Sequence, residues 1–296
     1  MITPEAAFVL CRFLLFGAAM LLWGTFAYLS ALVPTDLARR IGGRLQIYAF
    51  FGIAVVVATT AVLLPLRAAT IGEGWGDAID PSTIVAVLFD TNVGRAWQAQ
   101  AVAVALLGLS VFLSAHWRQA AIALSSGLLL ASQAFTGHAA MNQDWIGFAH
   151  RLNDIAHLLS GGAWLGALLP VLLLLPLLSN PEFASEARTA LIRFSNAGHA
   201  AVAIVLLTGI ANMLLILGRG LPLEWSFPYQ VMLSIKIVLV IVMVILAIAN
   251  RYLFVPKLSR GMPWAREAIV RATLAEVVLG LVVLALVAWF GTLAPT

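Results

Sequence analysis

The chain has 296 residues, 62% of them apolar and 10% charged, with a mean hydropathy of +1.01. Apolar runs of ~20 residues, each long enough to span a bilayer, recur along it and exclude an ordinary soluble domain. The formal charge of +4 is read as basic loops on one side of a membrane, not as a nucleic-acid surface, and the single cysteine, Cys11, rules out an intrachain disulfide or a Cys-x-x-Cys metal site.

Apolar runs fall at about 6–33, 45–66, 96–115, 119–136, 147–178, 190–217, 229–255 and 268–293, predicting an all-α, polytopic transmembrane helical bundle of about eight spans. The first run is preceded by no basic region and is longer than a signal h-region, so it is expected to be the first span. Arg39, Arg40, Arg44, Arg118, Arg188, Arg193, Arg251, Lys257, Arg260, Arg266 and Arg271 gather on one side. Only Arg67, Arg95, Arg151 and Arg219 fall on the other. The positive-inside rule makes the richer side cytoplasmic and both termini periplasmic. Residues 1–136 form a first four-helix half and 137–296 a second, within one integral membrane domain.

The first half carries little intramembrane charge. Arg12 is expected to snorkel to the headgroups, and His116, beside Trp117 and Arg118, to lie at the inner interface. The outer loop 67–95 is acidic, with Glu73, Asp77, Asp80 and Asp90, and its segment 81–89 reads as a short interfacial helix. Such a loop is either a solvated connection or a vestibule that collects cations.

Polar intramembrane residues concentrate in the second half. The fourth outer loop contributes His138 and Met141, imidazole and thioether being ligands that suit copper. His150, Asp154 and His157 follow at i, i+4 and i+7, so that a helix places them on one face, with Gly161 and Trp164 continuing the series. Ionisable groups in a span persist where they pair, line a cavity or carry function. Asp154 could fix the tautomer of either imidazole and leave the other nitrogen for a metal; the same face could instead close into a structural network between helices.

Gly161, Gly162 and Gly166 suit close helix approach, and Trp164 reads as a packing residue. His199 in the sixth run is expected at a depth near that of His157, where the two could share a metal or a haem iron. Asn212 lies ~220° round the helix from His199 and is set aside from that site. Lys236 and Glu276 are the remaining intramembrane charges, expected to pair with one another or to couple ion or proton movement. No Walker A sequence is present, which argues against an ATP-driven pump, and no Cys-x-x-Cys-His motif, so any haem would be non-covalent.

Gly137-His138-Ala139-Ala140, Asp154-x-x-His157, Trp164-Leu165-Gly166, Arg193-Phe194-Ser195, Gly209, Lys236, Asn250-Arg251 and Glu276 occur in the order and rough spacing of one family. In this the chain resembles the copper resistance protein D (CopD) family of bacterial inner-membrane proteins. The resemblance implies a multi-pass protein of the inner (plasma) membrane that moves copper, inward from the periplasm, and receives the copper ion from a periplasmic copper-binding protein of the CopC type. In that reading His138, Met141 and His150 form an outer group, Asp154 and His157 a deeper one, and His199 an inner ligand. The alternative from a different class is a membrane redox protein with haem b held by paired histidines, His157 with His199 or His150 with His138. A scaffold for copper-enzyme assembly is a third.

Overall fold

A computed structural model describes residues 2–136, 144–218, 221–222, 224–260 and 262–294. Among these the chain is 87% helical, without strands. Helix α1 (Pro4–Ala31) starts where Thr3 Oγ1 accepts the Ala6 N–H, with Pro4 in the first turn, where its missing donor is not needed. Helix α2 (Thr35–Ile71) follows after a three-residue break. The segment expected as an interfacial helix is α3 (Pro81–Asp90), capped by Asp80, and Thr91 caps α4 (Asn92–Leu109) in turn.

Helix α5 (Ala115–Ser132) is prolonged by a 3-10 turn to Phe135, and α6 (Asp144–Leu174) by another to Ser179. Helices α7 (Ala184–Leu217) and α8 (Pro228–Ala249) come next. The latter runs through a π-helical turn, Asn250–Phe254, into α9 (Val255–Ser259), and α10 (Pro263–Phe290) ends the bundle.

Among the described residues seven helices are long and apolar enough to cross a membrane: α1, α2, α4, α6, α7, α8 with α9, and α10. The remaining expected span, 119–136, is α5. At 18 residues it is interrupted by Gln119, Ser125, Ser126 and Ser132, and it packs against α1, α4 and α6 inside the bundle. Helix α2 begins ten residues before the apolar run it contains, because nothing between 35 and 45 breaks it. Arg39, Arg40 and Arg44 therefore lie on its first turns and not in a loop.

Helix α1 is the hub, with α2, α5, α6 and α10 around it. Its contact with α6 is backbone on backbone. A Cβ built on Gly24 would meet Gly162 O at 2.2 Å and Gly166 Cα at 2.7 Å, and one on Gly166 would meet Met20 O at 2.3 Å. Small residues permit such approach, and van der Waals packing is what holds helices together in lipid. Trp23 Nε1 donates to Leu159 O at 2.8 Å and Thr25 Oγ1 to Gly166 O at 2.9 Å on the same seam. Gly161 does not belong to it, since its nearest neighbour, Val205 Cγ2, lies at 3.9 Å. Trp164 is buried, as a packing residue should be.

Helices α7 and α8 stand at the periphery. Only 6% and 11% of their apolar windows are buried, against 56% for α6. The first leans chiefly on α6, the second on α10.

Arg12 does not snorkel. Its guanidinium lies over the Phe8 and Phe16 rings at 5.7 and 5.5 Å, beside Arg67, which covers Phe8 at 4.0 Å. Aromatic faces and the end of α10 at Gly291 enclose it in protein.

At the start of α3, one carboxylate oxygen of Asp80 accepts from Ser82 Oγ (2.6 Å), Thr83 Oγ1 (2.7 Å) and Thr83 N (2.9 Å). These bonds, the Ser82 hydroxyl first, pull the carboxyl down from 3.8 to about 2. The folded value is depressed, so the cap's contribution is complete above the unfolded value near 3.8 and is lost as pH falls through about 2. A carboxyl-carbon NMR titration should give Asp80 a midpoint about two units below that of a free aspartate, and Ser82→Ala should raise it.

Candidate metal site between α6 and α7

The site is built on the long unbroken face of α6. Because α6 and α7 pack antiparallel, residues descending one meet residues ascending the other, and the polar pairs fix the register. Asn153 Nδ2 donates to Thr208 O at 2.9 Å and to Asn212 Oδ1 at 2.8 Å. Asn212 Nδ2 donates to Asp154 Oδ1 at 3.1 Å, and the Asn212 side chain also bonds His150, which is 1% exposed. One turn further in, His157 Nδ1 lies 2.9 Å from Thr208 Oγ1.

The Thr208 bond assigns the tautomer of His157. The Thr208 hydroxyl is 2.5 Å from Ile204 O, so its proton is already donated, and its oxygen accepts the Nδ1–H of the imidazole. Nε2 is left with its lone pair, the form in which histidine ligates a metal. Gly209 gives the ring room, a Cβ there lying 3.4 Å from His157 Cε1.

Lys236, eight residues into α8, acts electrostatically on both Asp154 and His157. It makes no direct ion pair with either; the two ion pairs among the described residues, Arg39–Asp36 and Arg271–Glu267, are exposed. The expected pairing of Lys236 with Glu276 is not formed. Glu276 sits 13 residues into α10, fully buried at a different level, and its Oε1 has no hydrogen-bond partner. Helix length along the two antiparallel spans separates them.

The structure brings His150, Asp154 and His157 onto one face and does not bring His199 to them. His157 is level with Thr208, and His199 lies nine residues from Thr208, about 13 Å along α7 at 1.5 Å per residue. Both its nitrogens are engaged, Nδ1 with Ser195 O at 2.6 Å and Nε2 with the Tyr252 hydroxyl at 3.1 Å. The structure does not bring His157 and His199 to one point. His138 and Met141 lie outside the described residues. Among the described residues no group of three or more His, Cys, Asp or Glu gathers round one point. What α6 offers is a ladder of donors, each rung tied to α7 by an amide or hydroxyl.

Asn153, beside Asp154 on α6, and Thr208 and Asn212 on α7 were missed as members of this site. The signal was present in α7, where Thr208 and Asn212 stand at i, i+4 as the polar pair of an otherwise apolar stretch. Asn212, set aside on its angle from His199, is in fact a member of this site, bonding Asp154 and His150.

Seven membrane-length helices with a polar ladder buried between two of them define a multi-pass integral membrane protein. Residues 1–148 match the family model described as copper resistance protein D-like, N-terminal domain, and residues 188–290 the model copper resistance protein D. The chain belongs to the copper resistance protein D family, whose place is the bacterial inner membrane. It is 33% identical to inner membrane protein YebZ of Escherichia coli K12 over 96% of this chain and 97% of that one. It is 31% identical to copper resistance protein D of Pseudomonas syringae pv. tomato over 82% and 81%. A further relative, copper transport protein CutJ of Bacillus subtilis 168, is 33% identical over 78% of this chain and 42% of its own length. Among solved structures, bd oxidase from Geobacillus thermodenitrificans matches with a TM-score of 0.50 at 11% identity, over 97% of this chain and 87% of that chain, a likeness of fold.

Proposed function

We propose that the protein carries copper across the inner membrane from periplasm to cytoplasm, along the α6 face that bears His150, Asp154 and His157. The observation that supports this most is the assigned tautomer of His157, which leaves Nε2 unprotonated in an apolar span. His138, Met141 and His150 form the outer group that receives the ion, and a periplasmic copper-binding protein of the CopC type delivers it. Both termini are periplasmic in this reading, which puts the outer group at the delivery side. Pairs of donors, not a closed cage, suit transport, because each station must release what it binds.

Lys236 supplies the coupling. Lys236 and Asp154 each favour the other's charged form, and an arriving copper ion competes with the ammonium for the carboxylate and displaces it. His199, bonded to Ser195 and Tyr252, is no part of this path.

Metal analysis and a visible spectrum of the detergent-purified protein test the reading together. Copper near one equivalent is expected, without a Soret band. Asn212→Leu, which removes the amide that orients Asp154 and His150, should weaken binding by about 10- to 100-fold, as loss of a group behind a ligand commonly does. A Soret band, or copper content unmoved in Asn212→Leu, would count against it.

A further inference from the structure

A second polar feature lies outside the copper path. Between the inner halves of α6, α7, α8–α9 and α10 is a cavity of about 760 Å³, within the range of small-molecule sites. Its walls are mostly apolar, among them Trp164, Leu168, Val202, Leu206 and Val244. It is partly open, between the two helices that the rest of the protein covers least, so its mouth faces lipid.

The polar groups in this cavity divide into satisfied and unsatisfied. His199 bonds Ser195 and Tyr252 with its two nitrogens. Arg251 donates to Ser195 Oγ and to Asn196 Oδ1. Two oxygens are left without a partner. They are Oε1 of Glu276, whose side chain is 2% exposed, and Oδ1 of Asn250 in the π-helical turn. A buried polar atom without a partner is costly, and more so if charged, so an occupant that supplies donors is called for. Arg188 and Arg251 also line the cavity, but a phosphate or carboxylate headgroup held by them brings only acceptors and leaves Glu276 Oε1 and Asn250 Oδ1 without a donor. Lipid ammonium groups stay at the interface.

We infer that this cavity binds a membrane quinol or quinone, an apolar-tailed aromatic ring with two oxygen substituents. The hydroxyls of the quinol donate to Glu276 Oε1 and Asn250 Oδ1, the apolar walls take the ring and the first part of the tail, and the rest of the tail leaves between α7 and α8. A protonated Glu276 serves the oxidised form equally, donating to a quinone carbonyl. This inference does not depend on copper transport.

The test uses the full chain in detergent. Quinone is extracted from the purified protein and quantified by chromatography, and binding of decylubiquinol is titrated by quenching of tryptophan fluorescence. Wild type should retain quinone toward one per chain. Glu276→Leu should weaken decylubiquinol binding at least about tenfold, the effect of losing one hydrogen bond to an ionisable group, and Glu276→Gln, which keeps an acceptor oxygen, less. Ala203→Trp, filling the cavity from α7 without touching either oxygen, should abolish binding while the protein elutes as a single species. Binding unchanged in both Glu276→Leu and Ala203→Trp would overturn the inference. So would co-purification of phospholipid or porphyrin in place of quinone.

Discussion

Cells expressing the His157→Ala variant at wild-type level should lose copper-dependent accumulation of the metal. The imidazole presents its Nε2 lone pair because Nδ1–H is held by Thr208, and alanine supplies no donor at that depth. Thr208→Val separates ligation from orientation. The ring loses its hydroxyl partner but keeps its own nitrogen, and accumulation should fall by about tenfold, not to background. Total cellular copper by mass spectrometry, normalised to membrane-inserted protein, checks both. Accumulation unaffected by His157→Ala would remove that residue from the pathway.

The largest effect on folding is expected from Gly24→Ala. An added Cβ would stand 2.2 Å from a carbonyl oxygen and 2.7 Å from a backbone carbon of α6, and neither can rotate away. Overpacking commonly costs ~1–3 kcal/mol, and a clash between two backbones belongs at or above the top of that range. The whole seam between α1 and α6 would have to part, and with it the Trp23–Leu159 and Thr25–Gly166 hydrogen bonds. Gly161→Ala, whose added Cβ would stand in ordinary contact 3.9 Å from Val205 Cγ2, should leave stability unchanged. Thermal unfolding in detergent, followed by exposure of Cys11 to a thiol-reactive dye, distinguishes the two variants, because Cys11 is buried in the same core.

The helical class and the positions of the spans were legible because hydrophobicity in lipid is a one-dimensional property of the sequence. The i, i+4, i+7 spacing of His150, Asp154 and His157 was legible for the same reason, being local to one helix. Contacts between helices were not. Whether His199 meets His157 depends on how far α6 and α7 slide past one another, and that register is set by Asn153, Thr208 and Asn212 bonding across the interface. Lys236 and Glu276 looked like natural partners by charge alone. Their levels on α8 and α10 send one toward Asp154 and the other into the inner cavity. Among the glycines, composition marks all of 161, 162 and 166 as suited to packing, but only 162 and 166 face Gly24.

Copper flux into liposomes containing the purified protein tests the central claim most directly. Wild type should load copper into the lumen and His157→Ala should match protein-free vesicles, with both proteins present in equal amount and equally oriented. Equal flux from wild type and variant, or none from wild type when copper is supplied at either face, would contradict transport along the α6 ladder.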